Sequence, residues 1–136
     1  MTTSGLTPPD PEKARKQRAY PALARLTERH ATDADRLRWE GDQRPMAPLD
    51  ALRRTADLAA GSAEPDTGHP GVDREDLLAA LTLLPLARAE FDRLEQGLLD
   101  MAKGRGMTWQ EIAFGLGLGS AQAARQRHER VARRTD

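Results

Sequence analysis

The sequence predicts an all-α fold on three observations. Apolar residues recur at intervals of three and four along the chain, and nowhere do they alternate with polar ones over a strand's length. Ser, Thr or Asp stands ahead of several of these runs and glycine follows several of them, the punctuation of helix starts and stops. Aromatics make up 4% of the 136 residues and mean hydropathy is −0.69, so the core must be thin and built mostly from leucine and alanine. That length suits one domain, or one domain with an appendage.

Taken in order, residues 1–10, with Thr, Ser, Gly and two adjacent prolines, read as a disordered lead. A helical N-terminal segment is expected over 11–60. Asp10 can cap a helix whose first position is Pro11, and Arg15-Lys16-Gln17-Arg18 places a basic cluster on it. Pro21–His30 carries Leu23 and Leu26 on one side as a short amphipathic helix. Asp33 and Asp35 suit turn or capping positions, and Trp39 suits a packing anchor before Gly41, Pro45 and Pro48. A better helix runs from Pro48 to Ala60, with Leu49, Leu52, Ala56 and Ala59 on one stripe and Gly61 as its stop.

Residues 61–71, GSAEPDTGHPG, read as a linker loop ahead of a domain over 72–136. Asp73 caps the next helix, its acids oppose the N-terminal dipole charge, and Val72 with Leu77 can form a hydrophobic staple. Leu77, Leu78, Leu81 and Leu84 make that helix strongly apolar, and Pro85 is expected to kink or end it. From Leu86 to Lys103, Phe91, Leu94, Leu98 and Met101 recur at helical spacing. This is the expected supporting helix, burying the inner sides of a helical pair that follows the Gly104-Arg105-Gly106 hinge.

That pair occupies 104–132 and has the layout of a helix-turn-helix. Thr108-Trp109-Gln110-Glu111 is a capping box, opening a helix whose buried stripe is Trp109, Ile112, Ala113 and Leu116. Gly117 is the turn residue with positive φ, and Ser120 is the N-cap of the second helix. On that helix Ala124, His128 and Val131 fall on the core side. Gln122, Gln126, Arg130 and Arg133 fall opposite, with Arg125 and Arg127 on the flanks and Glu129 as the one acid. Gln can bond adenine bidentately and Arg can bond guanine, so this face suits base reading. Gln122, Arg125 and Gln126 are the candidate base readers. Arg105, Thr108, Gln110, Ser120, Arg127 and Arg130 are the candidate phosphate contacts, which set register without reading sequence.

The run Thr108-Trp109-Gln110-Glu111-Ile112-Ala113, then Leu116-Gly117-Leu118, then Ser120-Ala121-Gln122-Ala123-Ala124, resembles small helix-turn-helix proteins of high-GC bacteria. Their recognition helix opens S-x-Q-A-A, with an arginine–aromatic pair a few residues on. The stretch is more distantly similar to the promoter-reading last region of sigma factors. Gly119 is one extra turn residue, Ala121 stands where the family often has Arg or Lys, and His128 occupies the aromatic position. The resemblance implies DNA binding.

Charge is unevenly spread. The whole chain is formally neutral, but residues 103–136 carry seven bases against three acids, while 73–102 carry three bases against seven acids. The three histidines are far apart and there is no cysteine, so no metal site, disulfide or cofactor is indicated. Gly115–Gly119 lacks the strand context and the lysine of a phosphate loop, and Ser120 has no His and Asp arrangement around it. An enzyme is not expected. No apolar run approaches a membrane span and no signal region opens the chain, so a cytoplasmic, nucleoid-associated protein is expected.

Two functional expectations follow. One is a transcriptional regulator or nucleoid-associated factor reading double-stranded DNA with the 120–132 helix. It would act as a homodimer paired through the N-terminal half or the 86–103 helix. The alternative is a helical interaction module docking on RNA polymerase, a sigma factor or a co-regulator. Phe114 lies away from the buried stripe beside Gln110; it is either a partner surface or is covered by residues 11–60.

Overall fold

A computed structural model describes residues 8, 10–32, 35, 46–61 and 70–135. The disordered lead (all but residues 8 and 10), Asp33, Trp39 and the linker over 62–69 lie outside the described residues. Those described form helices and no strand: α1 (Pro11–His30), α2 (Pro48–Ala60), α3 (Arg74–Gly104), α4 (Trp109–Leu116) and α5 (Ala121–Thr135). The chain divides into two compact units, 1–87 and 88–136, and the division falls inside α3.

The first unit begins as its caps dictate. Asp10 accepts a hydrogen bond from the Glu12 N–H, Pro11 sits at the first helical position, and α1 continues through Pro21 to His30 as one helix. A proline inside a helix removes a single donor, and the ladder on either side remains intact here. Gly61 ends α2 at φ 77°, the left-handed conformation that glycine adopts without steric cost.

The buried core joins Ala22 and Leu26 of α1, Ala31, Met46, Ala51 of α2, and Ala79 and Leu83 of α3, with Leu23 and Leu52 partly buried against it. The expected α2 stripe is rotated. Ala51 and Thr55 are buried while Ala56 and Ala59 are exposed. Small side chains let α2 approach closely, and the Thr55 hydroxyl is satisfied by donating to the Ala51 carbonyl at 2.8 Å.

Pro85 does not end its helix; α3 runs unbroken to Gly104. Nor do the leucines chosen from sequence face the first unit's core: Leu77, Leu78, Leu81 and Leu84 are all exposed, and Asp76, Ala79, Thr82 and Leu83 are buried instead. The turn that carries Asp76 faces inward because that carboxylate is held there by cations of α1.

In the second unit the turn after α3 places Gly106 at φ 86°, with the Met107 N–H reaching back to the Ala102 carbonyl at 3.0 Å. Leu99, Ile112, Ala113 and Ala124 form the core, with Ala102, Trp109 and Leu118 packed on it. The Thr108 capping box is complete. The Glu111 N–H donates to the Thr108 hydroxyl, and the Thr108 N–H donates to the Glu111 carboxylate. Gly117 turns the chain at φ 72°, and the Leu118 N–H closes on the Ala113 carbonyl at 2.8 Å.

Two expectations are corrected in this unit. Leu116 is 39% exposed, and Leu118, brought inward by the glycine turn, packs on the core in its place. Phe91, Leu94, Leu98 and Met101 are exposed; the face of α3 that meets α5 is about a third of a turn away and carries Asp92, Glu95, Gln96, Leu99 and Asp100. The reason is electrostatic: α5 arrives with Arg127, His128 and Arg134, and the acids of α3 are their partners.

Candidate functional site

The site is built on α5. Ser120 opens that helix, its hydroxyl accepting the Ala123 N–H at 3.1 Å. Ala124 and Val131 are fully buried and set which face turns inward. Ala124 packs with Ala113 of α4, two small side chains where the helices cross closely.

Polar pairs then fix α5 against α3. The Arg127 guanidinium donates to Glu95 at 2.6 Å, and that bond holds its pKa above the ordinary arginine value. His128 Nε2 lies 2.8 Å from the Asp100 carboxylate, and its ring stacks at a tilt on Trp109, centroids 5.4 Å apart. Thr135 donates to Gln96, and Arg134 stands 3.6 Å from Asp92. Lys103 lies over the Trp109 ring at 4.8 Å while donating to the Met107 carbonyl.

With that face spent, the outer one is open. Gln122, Arg125, Gln126, Arg130 and Arg133 are exposed, and among the described residues none makes a side-chain hydrogen bond or ion pair. Arg105, at the turn after α3, and Gln110, on the first turn of α4, are exposed as well. Thr108 and Ser120 are exposed but use their hydroxyls in capping.

Of the residues singled out from sequence, then, Gln122, Arg125 and Gln126 share one open helix face with Arg130. Arg127 stands apart from them. Its bond to Glu95 ties α5 to α3. Phe114, on α4, is 89% exposed.

Sequence reasoning missed a second cluster, in the first unit. The Asp76 carboxylate is completely buried and accepts from Arg25 Nε at 2.8 Å and Arg29 Nε at 2.9 Å, with His30 Nε2 at 2.8 Å. Asp73 and Asp76 also cap one another reciprocally through their backbone N–H groups at the start of α3. Burial pushes the Asp76 pKa up, but the His30, Asp73 backbone, Arg25 and Arg29 bonds outweigh it and hold the carboxyl at about 2. His30 Nδ1 is buried without a hydrogen-bond partner. The one available sequence signal was the i, i+4, i+5 run of Arg25, Arg29 and His30 on a helix otherwise facing a core.

Among the described residues no group of three or more His, Asp or Glu is arranged to hold a metal ion, and no helix is long and apolar enough to cross a membrane. Comparison with protein-family models, with curated proteins and with solved structures finds no match to this chain.

Proposed function

We propose that the 88–136 unit is a helix-turn-helix that reads double-stranded DNA, with α5 as the recognition helix in the major groove. The observation that carries this reading is the division of labour on α5. Its inner face is locked by buried alanine and valine and by ties to α3, while Gln122, Arg125 and Gln126 stand on the outer face with no partner among the described residues. Unpaired Gln and Arg on a rigid, capped helix suit bidentate readout of adenine and guanine. Arg105, Thr108, Gln110, Ser120 and Arg130 border that face and supply the phosphate contacts that set register. The regulatory or nucleoid role follows from that activity, and no cofactor enters it.

Fluorescence anisotropy with a random duplex, at low and at moderate salt, tests the reading. Binding should weaken steeply with salt, because each phosphate contact releases condensed counterions. After selection of a preferred site, Gln126→Ala or Arg125→Ala should lose about 1–3 kcal/mol of discrimination between sites, while Arg130→Ala weakens all duplexes alike. No binding at low salt refutes the proposal.

A second reading rests on Phe114. A phenylalanine 89% exposed on α4 is an uncommon surface residue, and it favours docking on a protein such as RNA polymerase, a sigma factor or a co-regulator. Partner binding that is insensitive to salt and abolished by Phe114→Ala would select it.

A further inference from the structure

Phe91, Leu94, Leu98 and Met101 stand 53%, 56%, 56% and 53% exposed on one face of α3 in the second unit. Together they present on the order of 400 Å² of apolar surface, the size at which a patch marks an interaction site. The second unit's core does not include these side chains, and α5 is tied to a different face of the same helix.

The spacing identifies what fits. Intervals of three, four and three are those of successive a and d positions, the seam of a two-helix coiled coil. The same intervals read identically in reverse. A second α3 laid antiparallel therefore sets Phe91 against Met101 of the second copy and Leu94 against Leu98, each contact occurring twice about a two-fold axis. The Phe–Met contacts at the ends are of the favourable sulfur–aromatic kind.

Gly97 is an independent sign. It lies mid-helix beside this seam, where glycine is less favourable than alanine, and within this chain nothing requires it. An added Cβ would meet no atom within 4 Å, and its φ is not in the left-handed region. In the antiparallel pair the two-fold axis passes at the level of Gln96, one residue from Gly97, so both glycines lie beside the centre of the crossing, where the absent side chains let the helices close. Helix dipoles favour the same direction, since an antiparallel pair sets the positive end of each helix beside the negative end of the other.

Pairing removes on the order of 800 Å² through the four side chains alone, and the flanking positions bring the total near the roughly 1,200 Å² lower bound of specific interfaces. The chain's net charge of zero adds no long-range self-repulsion.

We propose that Phe91, Leu94, Leu98 and Met101 form the seam of an antiparallel homodimer of this chain, with Gly97 beside its two-fold centre. An interface this small is at the weak end of specific ones, so pairing should depend on protein concentration. It stands on the apolar face and not on DNA binding.

Sedimentation velocity of the full chain without DNA, from about 1 to 200 µM, measures it directly. The wild type should pass from monomer to dimer across that range. Leu98→Glu should weaken the dimer at least about 30-fold, with far-UV circular dichroism and melting unchanged, because Leu98 is exposed in the single chain. Gly97→Ala should weaken it while melting at the same or a higher temperature.

The chain has no cysteine, so single substitutions report direction. A mixture of Leu94→Cys and Leu98→Cys chains should cross-link through a short thiol-reactive linker better than either alone. A wild type that stays monomeric at the highest concentration, or a Leu98→Glu chain that dimerises as tightly, overturns the proposal. So does cross-linking of each cysteine variant only with itself. Because no DNA is present, these outcomes are separate from success or failure of the DNA reading.

Discussion

The two units use charge in opposite ways. In the first, one carboxylate, Asp76, is completely buried and gathers Arg25, Arg29 and His30 from α1. In the second, several partly exposed pairs, Glu95–Arg127, Asp100–His128 and Asp92–Arg134, run along the seam between α3 and α5. Removing the buried acid takes the shared acceptor from the buried His30 and from the part-exposed Arg25 and Arg29 at once. Exposed pairs contribute little each, but in series they determine which face of a helix points outward. The first arrangement secures a core and the second orients a surface.

Removing the anchor should give the largest effect. Asp76→Ala is expected to cost about 3–5 kcal/mol, and hydrogen exchange should show lost protection in 11–30 while 121–135 stays protected. Equal loss in both would show that the two units do not differ as described. Acid gives the next largest effect. The folded Asp76 carboxyl titrates at about 2, below its ordinary value, so its contribution is complete above about pH 4 and disappears as pH falls through about 2. That contribution is on the order of 2 kcal/mol. Denaturant unfolding at pH 5, 3.5 and 2.5 should show the first unit losing stability first. The reverse order would break the comparison.

Smaller effects sharpen the description of the second unit. Thr108→Ala removes one half of the capping box and should cost about 1 kcal/mol, seen as earlier exchange of the α4 amides. Arg127→Ala, at a side chain 40% exposed, should cost about 0.5 kcal/mol or less. In the proposed complex with DNA the same substitution should leave the salt slope unchanged, because Glu95 already holds the guanidinium. A slope reduced by about one would return Arg127 to the phosphate contacts.

Much of this was legible in the sequence where the cause lies within a turn or two of the chain. Asp10 with Pro11, the Thr108–Glu111 box, and glycines 61 and 117 each act on neighbouring backbone groups, so their residues announce the helix ends they make. The inward side of α5 was legible for the same reason, because Ala124 and Val131 stand a helical repeat apart among arginines. Faces rich in leucine misled. Along α3 apolar residues occupy more than one face, so periodicity offers several buried sides and does not rank them. Leu116 misled similarly, since the turn after it decides whether Leu116 or Leu118 reaches the core.

The sequence by itself determined that this chain is helical, where most of its described helices begin and end, and which side of α5 carries glutamine and arginine. These are properties of short-range backbone bonding and of the 3.6-residue period. Only the tertiary structure decided that Asp76 is buried, that Arg127 belongs to Glu95, and that Phe91, Leu94, Leu98 and Met101 remain exposed. Those outcomes depend on partners 32 to 51 residues away and on the competition between apolar and ionic faces for one packing surface.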